Sequence, residues 1–268
     1  MMKQDGKTGE RTLSAYESSE KKMKLIAHRG ASLEEQEDTL ESLQLGADLG
    51  ADAVECDPRV TGDGTVVLFH DDDLKRLAGD RRRVNTLTLA EMKEVMGKRG
   101  LRVTTLNEVF EKYGRETPIL LDLTTGDGRT GAPCLTADDS FFEKLSEVPL
   151  DFICGIHFPE EAESASKYFP PEKILAFMPE KDRYEEFFRA GAGIIRLWEH
   201  WLDEVKPADV KEKCPGADVY IMSNRPETGA DGTPESVRFA EAIGADGVLL
   251  NDIRMAVSVM KENGRKKQ

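Results

Sequence analysis

The sequence predicts an α/β protein, specifically a distorted (β/α)8 TIM barrel with a β-hairpin near its second and third strands. Three observations carry this. Strand-like and helical segments alternate over about 240 residues, the pattern of a largely parallel sheet. That length suits an eightfold barrel, which typically needs roughly 250 residues. No glycine-rich dinucleotide fingerprint follows the first strand, which disfavours the open doubly wound alternative.

Apolar and β-branched runs of strand length occur at 25–27, 53–56, 66–69, 119–123, 152–156, 174–177, 194–197, 219–222 and 248–250. Helical stretches with recognisable ends lie between most of them. Asp38 with Glu41, Thr88 with Glu91 and Thr105 with Glu108 have capping-box spacing, and Gly50, Gly97 and Gly114 stand where those helices stop. Pro207 and Pro234 sit just inside two later helix starts, with Thr233 capping the second and Gly244 closing it. Nine runs are one too many for eight barrel strands. The stretch between Cys56 and Val66 is too short for a parallel crossover and contains Thr61-Gly62-Asp63-Gly64, a turn signal. Residues 53–69 therefore read as a hairpin, in which Glu55 is expected to face His70. The chain divides into an N-terminal arm at 1–23, which lacks apolar periodicity, and one barrel domain at 24–268 with a capping insertion at 71–105. The Lys-rich end at 261–268 reads as a frayed tail.

Against 37 Lys and Arg stand 51 Asp and Glu, a formal charge of −14. Such a surface repels phosphate backbones and anionic lipid, so nucleic acid is not an expected partner. Hydrophobic residues make up 39% of the chain, enough for a real core. No apolar run is long enough for an integral membrane span, and the first residues lack the apolar centre of a secretory signal. Cys56, Cys134, Cys154 and Cys214 are too scattered for a metal site or a dense disulfide framework, so the thiols are expected to be reduced and the chain cytoplasmic. A small anionic substrate then requires a local cationic pocket.

Four groups of residues stand at the ends of predicted strands, where barrel side chains converge on a ligand. His28-Arg29-Gly30 follows the first: an imidazole titrating near neutrality, a guanidinium suited to phosphate, and a glycine permitting a sharp turn. In Glu55-Cys56-Asp57, strand periodicity puts both carboxylates on one face and the thiol on the other. Two inward carboxylates raise each other's pKa, and a shared divalent cation relieves that conflict. His70-Asp71-Asp72-Asp73 offers a second imidazole; Asp71 either orients an imidazole or caps the next turn, and capping is the expected role. Asp122 ends an apolar strand, where a carboxylate needs a partner, which makes it a candidate third metal ligand.

These blocks resemble the glycerophosphodiester phosphodiesterase family. The resemblance lies in Ile26-Ala27-His28-Arg29-Gly30, Glu37-Asp38-Thr39, the segment from Gly50 through Glu55-Cys56-Asp57 and Thr61-Gly62-Asp63-Gly64 to Phe69-His70-Asp71, and the closing Gly244-Ala245-Asp246-Gly247 to Asn251-Asp252. It implies a (β/α)8 barrel, a small-molecule glycerophosphodiester substrate cleaved to glycerol 3-phosphate and an alcohol, and a Ca²⁺ or Mg²⁺ requirement. By position it makes His28 and His70 the general base and acid, Arg29 a phosphate ligand, and Glu55 and Asp57 metal ligands, with Glu37 near the site. Where the family usually has Glu-x-Lys on its fourth strand, Asp122 and Thr124 stand here. The hydroxyl brings no charge, and losing one such electrostatic stabiliser costs on the order of 10²–10³ in rate. Arg129, Arg196 or one of Arg81, Arg82 and Arg83 is the expected replacement. Asp38 replaces the family's Asn, and Ile221 or Met222 stands where it often has Trp.

Two rival readings are a phospholipase D-like or lysophospholipase lyase acting on longer lipids, and a degenerate barrel that binds phosphodiesters without turnover. With 7% aromatic residues the chain shows little sign of a lipid-binding rim. His157 ends a strand and either lines the pocket or is a neutral structural residue, the expected role; neither it nor His200 has a ligand-spaced partner. Trp198 and Trp201 either pack on the core, the expected role, or rim the mouth. No motif encodes an oligomeric state.

Overall fold

The computed structural model describes residues 22–123, 135–223 and 232–266. Thr124, Arg129 and Cys134, and the first 21 residues of the predicted arm, lie outside the described residues. Met23 does not belong to a solvated arm, because it packs into the core at 3% exposure.

Eight parallel strands close into a barrel: β1 (Lys24–Ala27), β2 (Ala53–Cys56), β5 (Ile119–Asp122), β6 (Phe152–Ile156), β7 (Ile174–Ala176), β8 (Ile194–Trp198), β9 (Asp218–Met222) and β10 (Gly247–Leu250), with β10 pairing back to β1. β3 (Pro58–Val60) and β4 (Val66–Leu68) form a separate antiparallel pair. The expected hairpin is therefore shorter than 53–69, since β2 is a barrel strand and only the stretch beyond it turns back. The register pairs Pro58 with Leu68, which sets Cys56 rather than Glu55 level with His70 if continued. The facing expected of Glu55 and His70 does not occur as strand pairing; the amide of Phe69 bonds the Asp57 carbonyl, and regular pairing stops there.

Two apolar layers follow from strand alternation. Ile26, Ala53, Leu120, Ile153, Leu175, Phe177, Ile194, Tyr220, Met222 and Leu249 fill the barrel interior. Val54, Cys56, Leu121 and Cys154 face outward, against the surrounding helices. Gly155 leaves room for the Phe177 ring: a Cβ there would lie 2.4 Å from it.

The helix ends show which local signals act. Thr88 caps α3 (Leu89–Gly97) and Thr105 caps α4 (Leu106–Lys112), each reciprocated by its glutamate in a capping box. Thr39, not Asp38, caps α1 (Leu40–Asp48), its hydroxyl accepting from the Ser42 amide. Asp38 is instead in the left-handed region at φ 57°, with its carboxylate turned inward to accept from the Asp57 amide at 3.0 Å. Pro207 opens α8 (Pro207–Lys213) and Pro234, after Thr233, opens α9 (Pro234–Ala242). The last helix, α10 (Ile253–Lys266), carries through most of the stretch expected to be frayed. A third apolar cluster, including Phe69, Leu74, Val84, Met92 and Met96, gives the segment after β4 its own small core.

Candidate active site

His28, Glu55, Asp57, Asp122, His157 and Asn251 all stand at or just beyond the C-terminal ends of barrel strands, and Arg196 lies in the middle of β8. In a parallel barrel these positions face one mouth. One oxygen each from Glu55, Asp57 and Asp122 lies within 4.8 Å of the others, close enough together to hold one metal ion. As alternation requires, Cys56 points to the outer core.

Burial, with repulsion from Asp57 and Asp122, holds the Glu55 carboxyl well above the usual carboxylate range. Burial and Asp122 likewise raise Asp57. Asp57 Oδ2 is buried without a hydrogen-bond partner, although Arg29 Nε is 3.2 Å away. Converging hard oxygens in a site that penalises their charge match the donor set of a divalent cation, so the residues fit the implied Ca²⁺ or Mg²⁺.

Asp122 differs from the other two. Burial opposes its charge, but His157 Nε2 at 2.5 Å holds its carboxyl below the ordinary value. Reciprocally, His157 is raised despite its burial, because Asp122 stabilises the imidazolium. The ring stacks on Phe177 at 5.4 Å, and its backbone amide is held by the Glu161 carboxylate. The expectation of a purely structural role for His157 is therefore corrected: its ring lines the site and hydrogen-bonds the Asp122 carboxylate there.

His28 is buried, with Nδ1 2.7 Å from Asn251 Oδ1 and Nε2 3.9 Å from Glu55. Burial, then the neighbouring Arg29, pushes its pKa down to about 3. Donation from Nδ1–H to the amide oxygen leaves Nε2 as the unprotonated ring nitrogen. Arg29 takes a left-handed conformation, φ 57°, and is followed by Gly30 at φ 75°. A Cβ on Gly30 would lie 2.4 Å from the Ser42 backbone, so only glycine fits this turn. The turn aims the Arg29 amide at Glu55 Oε2, 2.8 Å, and its guanidinium at Glu37 and Asp57.

His70 follows β4 and is about one-third exposed. Its Nδ1 bonds Asp71 Oδ1 at 2.7 Å, so Asp71 orients the imidazole; the expected capping role falls to Asp73, which accepts from the Lys75 amide. Glu37 accepts from both Arg29 and Arg76. Arg196 lies inside the barrel, its guanidinium carbon 4.1 Å from the Trp198 ring and within 5.6 Å of Phe177 and Trp201. Trp198 and Trp201 are half-buried around this guanidinium, each packed against a core cluster. Arg82 and Arg83 are engaged by Asp80 and Asp72, and no bond brings either to the carboxylate cluster.

Sequence reasoning gave no role to Asn251 and Arg76 and misread His157. Two of the three were accessible: Asn251 and His157 immediately follow strands, the same rule that singled out His28. Arg76 carries no such signal.

A parallel eight-stranded barrel with acidic and imidazole side chains gathered at its C-terminal mouth defines a (β/α)8-barrel protein with a candidate metal centre. Residues 28–148 match the Glycerophosphoryl diester phosphodiesterase family. The match spans 121 of the 268 residues, just under half of the chain. A glycerophosphodiester phosphodiesterase of Caldanaerobacter subterraneus is 37% identical over 97 residues, covering 34% of this chain and 40% of that protein. Lysophospholipase D GDPD1 of Homo sapiens is 33% identical over 113 residues, 37% of this chain and 36% of that one. The chain thus spans less than half the length of these curated relatives. An Oleispira antarctica phosphodiesterase, solved in complex with its product sn-glycerol-3-phosphate, shares the fold with a TM-score of 0.62 and 23% identity, over 89% of this chain and 96% of the other. No helix among the described residues is long and apolar enough to cross a membrane.

Proposed function

We propose that this chain hydrolyses glycerophosphodiesters to glycerol 3-phosphate and an alcohol, with a divalent cation held by Glu55, Asp57 and Asp122 and with His28 and His70 as base and acid. The convergence of the three carboxylates beside His28 carries this reading. When bound, the cation supplies positive charge to the phosphate oxygens and offsets the repulsion among its ligands. The protein's residues supply the rest. His28, neutral and fixed through Nδ1 by Asn251, offers Nε2 to the attacking hydroxyl. His70, fixed through Nδ1 by Asp71, donates the proton on Nε2 to the departing alkoxide. Arg29 and Arg196 are assigned to the non-bridging oxygens, Arg196 replacing the charge that Thr124 lacks. Arg129 is a second candidate for that replacement.

Glycerol 3-phosphate release from glycerophosphocholine and glycerophosphoethanolamine, with added Ca²⁺ or Mg²⁺ and with EDTA, tests the reading. Turnover should require the ion, whereas binding without turnover under every condition would favour the degenerate barrel. A lysophospholipase D-like activity is favoured by one observation: Leu33 and Phe158, on loops leaving the C-terminal ends of β1 and β6, are 64% and 48% exposed. Product analysis on a lysophospholipid, including a search for cyclic phosphate, separates that reading.

A further inference from the structure

We infer that Arg76 is a positioning residue, a three-nitrogen clamp that sets His70 and Arg29 relative to each other. The inference rests on the proposed phosphodiesterase reading. Arg76 lies in the short helix α2 (Lys75–Ala78), outside the barrel. Its Nε donates to Asp71 Oδ2 at 2.6 Å, one terminal nitrogen to Glu37 Oε2 at 2.8 Å, and the other to Glu37 Oε1 at 2.5 Å. Asp71 holds His70 Nδ1 through its other oxygen, 2.7 Å, and Glu37 Oε1 also accepts from Arg29, 3.1 Å. Arg29 Nε stands 3.2 Å from Asp57. Opposite charges therefore alternate without a break from the His70 ring to the carboxylate cluster, and Arg76 is the junction between two halves carried by different parts of the chain.

The geometry makes the guanidinium shape essential. A planar fork bonds a whole carboxylate on one edge and still has Nε for another. A lysine ammonium keeps the charge but cannot hold both carboxylates in one plane. Arg59 fixes the same imidazole from behind, donating to the backbone carbonyls of Phe69 and His70. The His70 backbone is thus pinned independently of Arg76, so what Arg76 adds is the setting of Asp71, and through it the ring, against Glu37 and Arg29.

The test compares wild type, Arg76→Ala and Arg76→Lys in glycerophosphocholine turnover, with ethylguanidine added back, and records the ¹⁵N shifts of the His70 ring. Loss of an outer partner of a functional histidine typically costs about 10–100-fold. The expected result is a fall of that size in kcat for both variants, smaller change in KM, partial rescue of Arg76→Ala by ethylguanidine, and loss of the ordered His70 Nδ1 to Asp71 hydrogen bond from the ¹⁵N shifts. Full kcat in a folded Arg76→Lys protein, or an unaltered His70 Nδ1 hydrogen bond in either variant, would overturn the inference. A wild type without turnover would defeat the functional reading instead, and the comparison of the Nδ1 hydrogen bond would still decide the role of Arg76.

Discussion

His157 Nε2 lies 2.5 Å from Asp122 Oδ1, so this clustered carboxylate is paired with an imidazole just beyond the neighbouring strand, while Asp57 faces the Arg29 guanidinium instead. Outer-shell partners of this kind fix a ligand's orientation and typically contribute about 10–100-fold in metal affinity or activity. Replacing His157 with Ala should therefore weaken Ca²⁺ or Mg²⁺ binding by that range in titration calorimetry. Unchanged affinity would reduce the pair to a packing contact.

The repulsion among Glu55, Asp57 and Asp122 predicts a stability signature. Glu55 is raised by burial and by its acidic neighbours, so without metal the native state holds a proton that the unfolded chain has already released. Above the ordinary carboxylate range the native state then binds more protons than the unfolded one, and this contribution falls as pH rises. Glu55→Gln removes it. In EDTA the melting-temperature advantage of Glu55→Gln over wild type should grow with pH, by about 3–6 °C for each unit of raised pKa. A pH-independent difference would refute the assignment, and the same variant should show no metal-induced rise in Tm.

His28 has the opposite sign. Its native pKa is pushed down to about 3 from 6.5, by burial and then by Arg29, so between those values the unfolded chain carries the extra proton. Stability is complete above about pH 6.5 and is lost as pH falls toward 3. His28→Gln should abolish turnover and make the protein less sensitive to acid in this window. An acid-unfolding midpoint that stays with wild type would count against a neutral buried His28.

Asp38 is a buried carboxyl in the left-handed region, raised well above its usual value by burial and by Asp57. Asparagine tolerates that backbone conformation and keeps an oxygen for the Asp57 amide without the charge. Asp38→Asn should raise stability by about 1 kcal/mol in EDTA, read from urea unfolding. Asp38→Ala, which strips the acceptor from a buried amide, should lower it.

What was legible in the sequence was whatever depends on neighbours along the chain. Thr88 and Thr105 cap because the required glutamate is three residues on. Glu55 and Asp57 share a face because strand side chains alternate, and the surplus run at Val66 leaves the barrel because its connection is too short. Asp38 and Asp71 show where that logic fails. Both are good local caps, yet each is taken by a distant or functional group: the Asp57 amide in one case, His70 and Arg76 in the other.

Local order along the chain determined the strands, most helix starts, the inward placement of the acids and the two histidines that end in the mouth. Closure of the barrel decided what no spacing contains: that Asn251 would hold His28 across 223 positions, that His157 would be given to Asp122, and that Arg76 would join Glu37 to Asp71. The reason is that a side chain's charge state and orientation depend on the groups within a few ångströms of it, and in a barrel those groups come from strands far apart in the chain.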